Sequence, residues 1–509
     1  MKRVIATGLV LSLFAGVAAI AQPQSLNVNK TQNPLGQPLV DARGFPPDDV
    51  MIEIPLRPDD QKYAGLRGAP MKAMVEEIAA ISRRDRDVHG NIYWGRNAGS
   101  QGHVEAEDWT VAKFNKLGLT NVHKVFAPPL AMWQAKSYDI TFAVDGMTFK
   151  LPSARPSLSE STTQDLEMMW LGQGSAADFA GRDVRGKAVI IQDIPLPGDI
   201  RHTIALEGAV KRAFDNGAAM VCNAYGLSDN FSDWQNTANK PGCNMGYRDG
   251  IRLRNLIGEG KKVRINYKLD ASRAVRLPAA TVWGTLPGNT AEEIFVVAHL
   301  DAFFEGALDN ASGMAVMVGL AEHFAKIPKS QRRRTIHFVG SVGHHGPFGG
   351  AGGPGTKQIH DTHDFSKTAF IINLEHVAVI RTKYWGPNLR PTTAVSPMRW
   401  TFDGSPKLLP MVRDSLERFN VATTADMDPT AGGEMGQIFR DAPSLQLITS
   451  PEIKHTEQDT PEWVPAVGLQ QVARAYARII DQVNTFSLQD IQPGKWPARP
   501  PAGTGGGGE

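Results

Sequence analysis

Cysteine is scarce in this chain, since among 509 residues only Cys222 and Cys243 carry a thiol. Two thiolates cannot complete a tetrahedral zinc site without further ligands, and no pair of histidines lies near them in the sequence. In an exported protein, the two residues are therefore candidates for a structural disulfide. Closing a loop of roughly 20 residues in this way would stabilise the fold by about 3 kcal/mol.

The chain also lacks a strong excess of positive or of negative charge. The net charge is +2, and the fractions of hydrophobic residues (42%) and charged residues (21%) are ordinary for a soluble globular enzyme. No electrostatic field therefore favours nucleic acid or an acidic membrane as a partner. The run Arg332-Arg333-Arg334 is isolated, and we interpret it as a solvated turn.

Long hydrophobic runs are confined to the N-terminus. Lys2 and Arg3 precede the apolar residues 4–20, and Ala19-Ile20-Ala21 offers the small residues of a cleavage site. This pattern predicts a secretory signal peptide over residues 1–21, hence a periplasmic or extracellular protein. The alternative is an uncleaved anchor helix. No later stretch is long and apolar enough to span a bilayer, so no membrane span is expected after signal removal.

The rest of the chain divides into segments that differ in their pattern of predicted strands, helices and turns. Residues 131–271 alternate short strand-like runs with turns and hold both cysteines but no cluster of carboxylates or histidines, which favours a binding or covering role. The predicted segments are an extended arm (22–63), the first part of an α/β domain (64–130), the β-rich insertion (131–271), the second part of the α/β domain (272–490) and a disordered, glycine-rich tail (491–509).

Strands and helices alternate in the second part of the α/β domain. This alternation predicts a twisted mixed, mostly parallel sheet flanked by helices, with functional groups at the carboxyl ends of its strands. The predicted strands are 294–298, 335–339, 369–374 and 444–449. The predicted helices are 311–326, 408–419 and 467–484.

The stretch HLDAFFEGALDNASG, residues 299–313, follows the first of these strands. His299 and Asp301 are two residues apart at a strand end, so their side chains point to the same side of the pleat. His299 could bind a metal ion while Asp301 holds its other ring nitrogen, and Asp309 could reach the same ion from the loop before the next helix. The alternative is a core histidine followed by a helix cap.

Three later strand ends also carry residues of the types that bind metals. They are Gly343-His344-His345-Gly346, Asn373-Leu374-Glu375-His376, and Lys454-His455-Thr456 with Asp459. A single His or Glu at a strand end usually has no functional meaning. Four successive strand ends at one edge of a sheet indicate a metal centre.

These residues resemble the co-catalytic zinc exopeptidases, a family that includes bacterial leucyl aminopeptidases, glutamate carboxypeptidase and, as relatives, glutaminyl cyclases and the transferrin receptor. The motifs that carry the resemblance are HLD with GALDNASG, RRTIHFV, INLE and KHTEQDT, together with the N-terminal segment RNAGSQGHVEAEDWTVAKFNKLGLTNV. Within the insertion, DFAGRDVRGKAVII and AFDNGAAMV resemble the protease-associated domain that many members carry there.

The resemblance implies a role for each of these positions. His299 would bind one zinc ion, Asp309 would bridge two, and Asp301 would orient His299. Glu375 stands where the family has an acidic ligand of the first zinc, usually Asp, and His455 stands at the histidine of the second. The implied function is that of a metal-dependent exopeptidase, most specifically an aminopeptidase, with one or two zinc ions or another divalent metal and a peptide or small acyl-amino substrate.

The departure from the family lies at His344 and His345, where the family usually has two consecutive glutamates. We expect His345 to be a metal ligand and His344 to be the general base, because a neutral imidazole offers a lone pair and has a pKa near neutrality. Gly343 and Gly346 would supply the bend that turns both side chains into one site. Glu305 is the alternative base.

Losing a ligand glutamate also removes a negative charge, which should weaken binding of the second metal or favour a different one. The alternative functions are therefore a catalytically inactive relative that acts as a binding or scaffold protein, and a related reaction such as glutaminyl cyclisation or deacylation.

Overall fold

The structure is a computed structural model that describes residues 44–46, 51, 53–129, 131–193, 208–225, 229–231, 233–234, 239–345, 353–385, 388–429, 431–439 and 441–492. The predicted signal peptide, most of the predicted arm, Gly346 and all of the predicted tail except residues 491 and 492 lie outside this set. The chain divides into two units, Met1–Ile52 and Glu53–Glu509, and the second is the subject below.

Among its described residues, the second unit has seventeen strands, which form two main sheets and a separate hairpin. In chain order these are β1 (Thr120–Phe126), β2 (Ala131–Val144), β3 (Met147–Phe149), β4 (Arg155–Pro156), β5 (Thr162–Trp170), β6 (Ala188–Asp193), β7 (Met220–Tyr225), β8 (Gly242–Met245), β9 (Arg264–Val275), β10 (Ala280–Leu286), β11 (Glu293–His299), β12 (Thr335–Ser341), β13 (Thr368–Leu374), β14 (Ile380–Trp385), β15 (Asn388–Val395), β16 (Arg399–Asp403) and β17 (Ser444–Ile448).

Helices cover the sheets and fill the connections between strands. They are α1 (Gly68–Asp87), α2 (Gln101–Lys116), α3 (Ala176–Phe179), α4 (Ala209–Asp215), α5 (Tyr247–Gly258), α6 (Gly313–Ala325), α7 (Gly353–Thr362), α8 (Leu409–Arg418), α9 (Met435–Ile438), α10 (Ala466–Val483) and α11 (Leu488–Ile491). No helix of the described residues combines the length and the apolar character needed to cross a membrane.

The larger domain is organised by a seven-stranded mixed sheet in the order β1-β10-β12-β11-β13-β17-β16. Its four central strands, β12, β11, β13 and β17, run parallel, and β1, β10 and β16 add antiparallel pairings at the two sides. The predicted mixed sheet is confirmed. Its parallel part is the centre, where helical crossovers connect the strands, whereas the strands at the sides need no crossover.

Both faces of the central strands are buried, which explains their continuous apolar sequences. In β11, Phe295 and Val297 pack against Ile359 of α7 and Ile438 of α9 on one face. The alternate residues of this strand are also buried, and α6 contacts the strand. Because β11, β12, β13 and β17 are parallel, their carboxyl ends lie along one edge of the sheet. Every predicted metal-binding segment follows one of these ends.

The insertion forms a second sheet of eight strands in the order β3-β2-β9-β5-β6-β7-β8-β4. Its strands run from Ala131 to Val275, close to the predicted bounds of 131–271. A disulfide joins Cys222 of β7 to Cys243 of β8, which are directly paired residues on neighbouring strands. This sheet has its own core, which includes Trp133, Phe142 and Tyr267.

Some elements were not predicted from the sequence. The hairpin β14–β15 and the edge strand β16 follow β13, and the short helices α7 and α9 cover the sheet. Polar and apolar residues alternate irregularly in β14 and β15, and several of their side chains are exposed, so hydrophobic periodicity gave no signal there.

Candidate metal centre

Asp309 lies at the centre of the edge formed by the parallel strands. After β11 the chain passes Gly306, which has a left-handed φ of 53°, and enters the turn Ala307–Ser312, in which Asp309 and Asn310 have non-helical backbone angles, before α6. The carboxylate of Asp459 accepts hydrogen bonds from the backbone N–H groups of Leu308 (2.7 Å) and Asp309 (3.0 Å). Asp459, in the segment that follows β17, therefore fixes the position of the turn that carries Asp309.

Four imidazoles converge on the buried carboxylate of Asp309. Its Oδ1 lies 3.1 Å from Nε2 of His299, 2.9 Å from Nε2 of His376 and 3.4 Å from Nε2 of His345. Its Oδ2 lies 2.9 Å from Nε2 of His455. Each histidine comes from the end of a different parallel strand, so the sheet itself brings the four rings together.

A second group of side chains adjoins the first. Oε1 of Glu375 lies 3.5 Å from Nε2 of His344 and 3.6 Å from Nε2 of His376. The other oxygen, Oε2, accepts hydrogen bonds from Nδ2 of Asn373 (3.1 Å) and Nε2 of Gln446 (2.6 Å). These two amides orient the carboxylate of Glu375 so that its Oε1 faces His344 and His376.

The donor atoms of this cluster suit a divalent metal ion. Among the described residues, Nε2 of His299, His345 and His376, both oxygens of Asp309 and Oε1 of Glu375 are buried without a properly directed hydrogen bond. Buried polar atoms are rarely left in this state, and imidazole nitrogens with carboxylate oxygens are the usual ligands of zinc.

The donor atoms form overlapping groups whose members lie within 4.8 Å of one another. These groups are His299 with Asp309 and His376; Asp309 with His345 and His455; His299 with His344 and His345; and His299 with His344, Glu375 and Glu434. Because Asp309 belongs to two of these groups, the geometry also fits a carboxylate shared between two ions.

The electrostatic environment keeps three histidine rings of the cluster neutral, so each has a nitrogen lone pair that can bind a metal or accept a proton. Burial lowers the pKa of His344, His345 and His455 well below that of an ordinary histidine, so these rings are neutral at pH 7. His299 differs, because the carboxylates of Glu434 and Asp309 outweigh its burial and raise its pKa to about 10. A metal ion at Nε2 of His299 would take the place of that proton.

The structure brings six of the predicted residues into one cluster, namely His299, Asp309, His344, His345, Glu375 and His455. Gly343 has a φ of 85°, so the expected bend before the histidine pair is present. Glu305 points elsewhere and pairs with Arg83 at 2.6 Å.

The proposed role of Asp301 needs a correction. Nδ1 of His299 lies 3.0 Å from the main-chain oxygen of Asp301 and 3.7 Å from its carboxylate. The carboxylate instead accepts a hydrogen bond from the backbone N–H of His345. Asp301 therefore orients His299 through its carbonyl group and tethers the His344-His345 turn through its side chain.

Sequence reasoning missed two members of the cluster. His376 lies in one of the predicted motifs but is not among the predicted ligands, because consecutive side chains on a straight strand face opposite ways. Its φ of 49° breaks that alternation, so Glu375 and His376 both face the site. Glu434 follows Gly432-Gly433 in a loop remote from every predicted strand end, and the glycine pair was the only available signal.

Residues 281–404 of the chain match the model of Peptidase family M28. This segment of the chain is therefore similar in sequence to that peptidase family. This match spans β10 to β16 and contains every residue of the cluster except Glu434 and His455. A search of curated protein sequences gave no match.

Solved structures of two aminopeptidases and of a Peptidase M28 precursor share the fold. The aminopeptidase from Aneurinibacillus sp. strain AM-1 has 18% identity and a TM-score of 0.56, covering 87% of this chain and 98% of its own. The zinc aminopeptidase BSAP from Bacillus subtilis has 16% identity and a TM-score of 0.58, with coverages of 84% and 98%. A Peptidase M28 precursor from Shewanella amazonensis SB2B has 17% identity and a TM-score of 0.63, with coverages of 85% and 97%.

Proposed function

We propose that this chain is an exported, metal-dependent aminopeptidase that uses one or two zinc ions to hydrolyse peptide bonds. The observation that carries the proposal is the convergence of four imidazoles on the buried carboxylate of Asp309, at the carboxyl edge of the sheet. The fold shared with zinc aminopeptidases and the family match support the same conclusion.

The predicted residues of the cluster divide into ligands and a base. His299, Asp309, Glu375, His345 and His455 would hold the metal, which would polarise the scissile carbonyl as a Lewis acid and lower the pKa of a water molecule. We assign proton acceptance to Nε2 of His344, because its burial keeps the ring neutral and it lies beside Oε1 of Glu375. Asn373 and Gln446 keep Glu375 in place.

The insertion is assigned a covering role. Its Arg155 pairs with Glu457 at 2.7 Å, and the hydroxyl group of its Tyr225 donates to the carbonyl oxygen of Glu452 at 3.0 Å. Both partners flank His455 in sequence. We retain the interpretation of the insertion as a protease-associated domain, which would border the site where the substrate enters.

A second candidate function is that of an inactive relative that binds a partner. The observation that favours it is the replacement of the family's two glutamates by His344 and His345. Metal analysis together with turnover separates the two functions. Zinc in the purified protein with hydrolysis of aminoacyl substrates supports the peptidase, whereas absence of both supports the inactive relative.

The test of the site uses the variants His299→Ala, Asp309→Ala and His455→Ala, with His89→Ala as the control. His89 is an exposed histidine that pairs with Glu105. Each site variant should lose bound metal, measured by mass spectrometry of the elements, while circular dichroism stays that of the wild type. Full metal occupancy in all three would refute the ligand assignment.

The export part of the proposal has its own test. Protein recovered from the periplasm or the medium should begin near Gln22 when its N-terminus is sequenced. An N-terminus at Met1 would contradict cleavage of the proposed signal peptide.

A further inference from the structure

The histidine pair leaves the proposed metal centre short of negative charge. Among the ligands assigned above, only Asp309 and Glu375 are carboxylates, and two divalent ions would outweigh them. An uncompensated excess of positive charge in a buried site is unfavourable because the surrounding protein screens it poorly. A third carboxylate in the cluster would correct the imbalance.

We infer that Glu434 is this third carboxylate and that it ligates metal beside His299 and Glu375. Its side chain is only 1% exposed, and one of its oxygens lies within 4.8 Å of donor atoms from His299, His344 and Glu375. The inference rests on the proposed function and adds a ligand to it. Glu434 then compensates for the negative charge lost where His345 replaces a glutamate.

The backbone before Glu434 is built to approach the site closely. Gly433 has a left-handed φ of 58°, and a Cβ added to it would lie 2.1 Å from Oε1 of Glu375. The side chain of Gln446 donates to Oε2 of Glu375 (2.6 Å) and to the carbonyl oxygen of Gly432 (3.1 Å). One amide thus fixes the loop and the neighbouring carboxylate together.

The carboxyl group of Glu434 lies against that of Glu375, and no Lys or Arg of the described residues pairs with it. Both of its oxygens are buried without a hydrogen-bond partner. Glu107, which is equally buried, pairs with Lys124 at 2.9 Å and accepts the backbone N–H of Ala280 at 2.7 Å. Glu375 and Glu434 are adjacent, buried carboxylates, and each has an oxygen atom without a hydrogen-bond partner. A bound cation would stabilise this pair.

The test compares Glu434→Gln with Glu107→Gln, because both variants remove one buried carboxylate while keeping its size. Zinc affinity and stoichiometry are measured by competition with a chromophoric chelator. For Glu434→Gln we expect at least one zinc equivalent to bind about tenfold to 100-fold more weakly than in the wild type. Glu107→Gln should match the wild type in both quantities.

If Glu434→Gln binds zinc with the stoichiometry and the affinity of the wild type, this inference is overturned and the proposed function stands. A wild type that binds no zinc would overturn the proposed function and this inference with it. Zinc-edge anomalous diffraction from wild-type crystals provides a second measurement that needs no variant. An anomalous peak within bonding distance of a Glu434 oxygen supports the inference, and peaks only around Asp309, His345 and His455 refute it.

Discussion

At the level of single residues, His344 and His345 are adjacent in sequence but contact different parts of the cluster. Nε2 of His344 lies beside Glu375, whereas Nε2 of His345 lies beside Asp309. The ring of His345 also stacks on Phe303, with ring centroids 4.8 Å apart. The left-handed Gly343 before the pair allows both rings to enter one site, so the two residues can have different roles.

The first prediction separates these roles. His345→Ala should reduce metal content, because a ligand nitrogen beside Asp309 is lost. His344→Ala should retain metal and lower turnover by roughly 10²–10⁴, the usual contribution of a positioned base. Metal analysis and steady-state kinetics on the same preparations provide the measurement. Full activity in His344→Ala would mean that the proton acceptor is another group.

At the level of structural elements, the site depends on loops that approach one another closely. The loop at Gly432-Gly433 lies directly on the carboxylate of Glu375, and Asp459 holds the turn that carries Asp309. These contacts join segments far apart in sequence. Substitutions in these loops should therefore change the metal affinity even when no ligand is replaced.

The second prediction concerns this close approach. Gly433→Ala should lower metal affinity, because the new methyl group would collide with Glu375 and the residue would have to keep a positive φ. Gly432→Ala is the matched control, since a Cβ there meets nothing within 4 Å. Zinc titration of both variants is the measurement. Equal affinities would show that the loop can move away without cost to the site.

The third prediction concerns the disulfide between β7 and β8. Replacing Cys222 and Cys243 together by Ala should lower the free energy of unfolding by about 3 kcal/mol, because the unfolded chain loses a loop constraint. Turnover should be unchanged, since the disulfide lies in the second sheet. Urea denaturation measures the loss, and reduced wild-type protein is the control that keeps both sulfur atoms. Two free thiols in unfolded, unreduced protein would contradict the pairing.

At the scale of the whole molecule, the charged groups at the two ends of β11 contribute to different properties, metal binding at one end and stability at the other. His299 ends the strand in the metal cluster, whereas Glu293 begins it and contacts Nε2 of His337 (3.5 Å) and of His363 (3.0 Å). Burial would raise the pKa of Glu293, but the two histidines outweigh it and lower the pKa to about 2. Because the strand separates the two ends by roughly 20 Å, Glu293 can affect stability without touching the metal.

The fourth prediction is the pH dependence that follows from this lowered pKa. A carboxyl group with a lower pKa in the folded state stabilises the fold above its unfolded pKa, and this contribution is lost as the pH falls toward 2. Relative to Glu293→Gln, the wild type should be more stable by up to about 3 kcal/mol at pH 6, and the difference should vanish near pH 2.

Denaturation of both proteins across this pH range is the measurement for Glu293. Glu322→Gln, which removes a half-exposed helical ion pair with Lys326, is the control and should change stability by less than about 1 kcal/mol at any pH. A difference between wild type and Glu293→Gln that stayed constant from pH 6 to pH 2 would contradict the assignment.

The mixed α/β sheet and most residues of the metal cluster can be predicted from the amino-acid sequence alone. Apolar runs mark β11, β12, β13 and β17, and parallel strands must end at one edge, so their polar ends had to meet. Other contacts depend on local backbone geometry or on remote loops, and these are visible only in the three-dimensional structure. A positive φ turns His376 into the site, Asp301 supports His299 through its carbonyl oxygen, and the glycine loop brings Glu434 beside Glu375. Periodicity carries no information about these contacts, because each arises from a backbone conformation or chain crossing outside regular helices and strands.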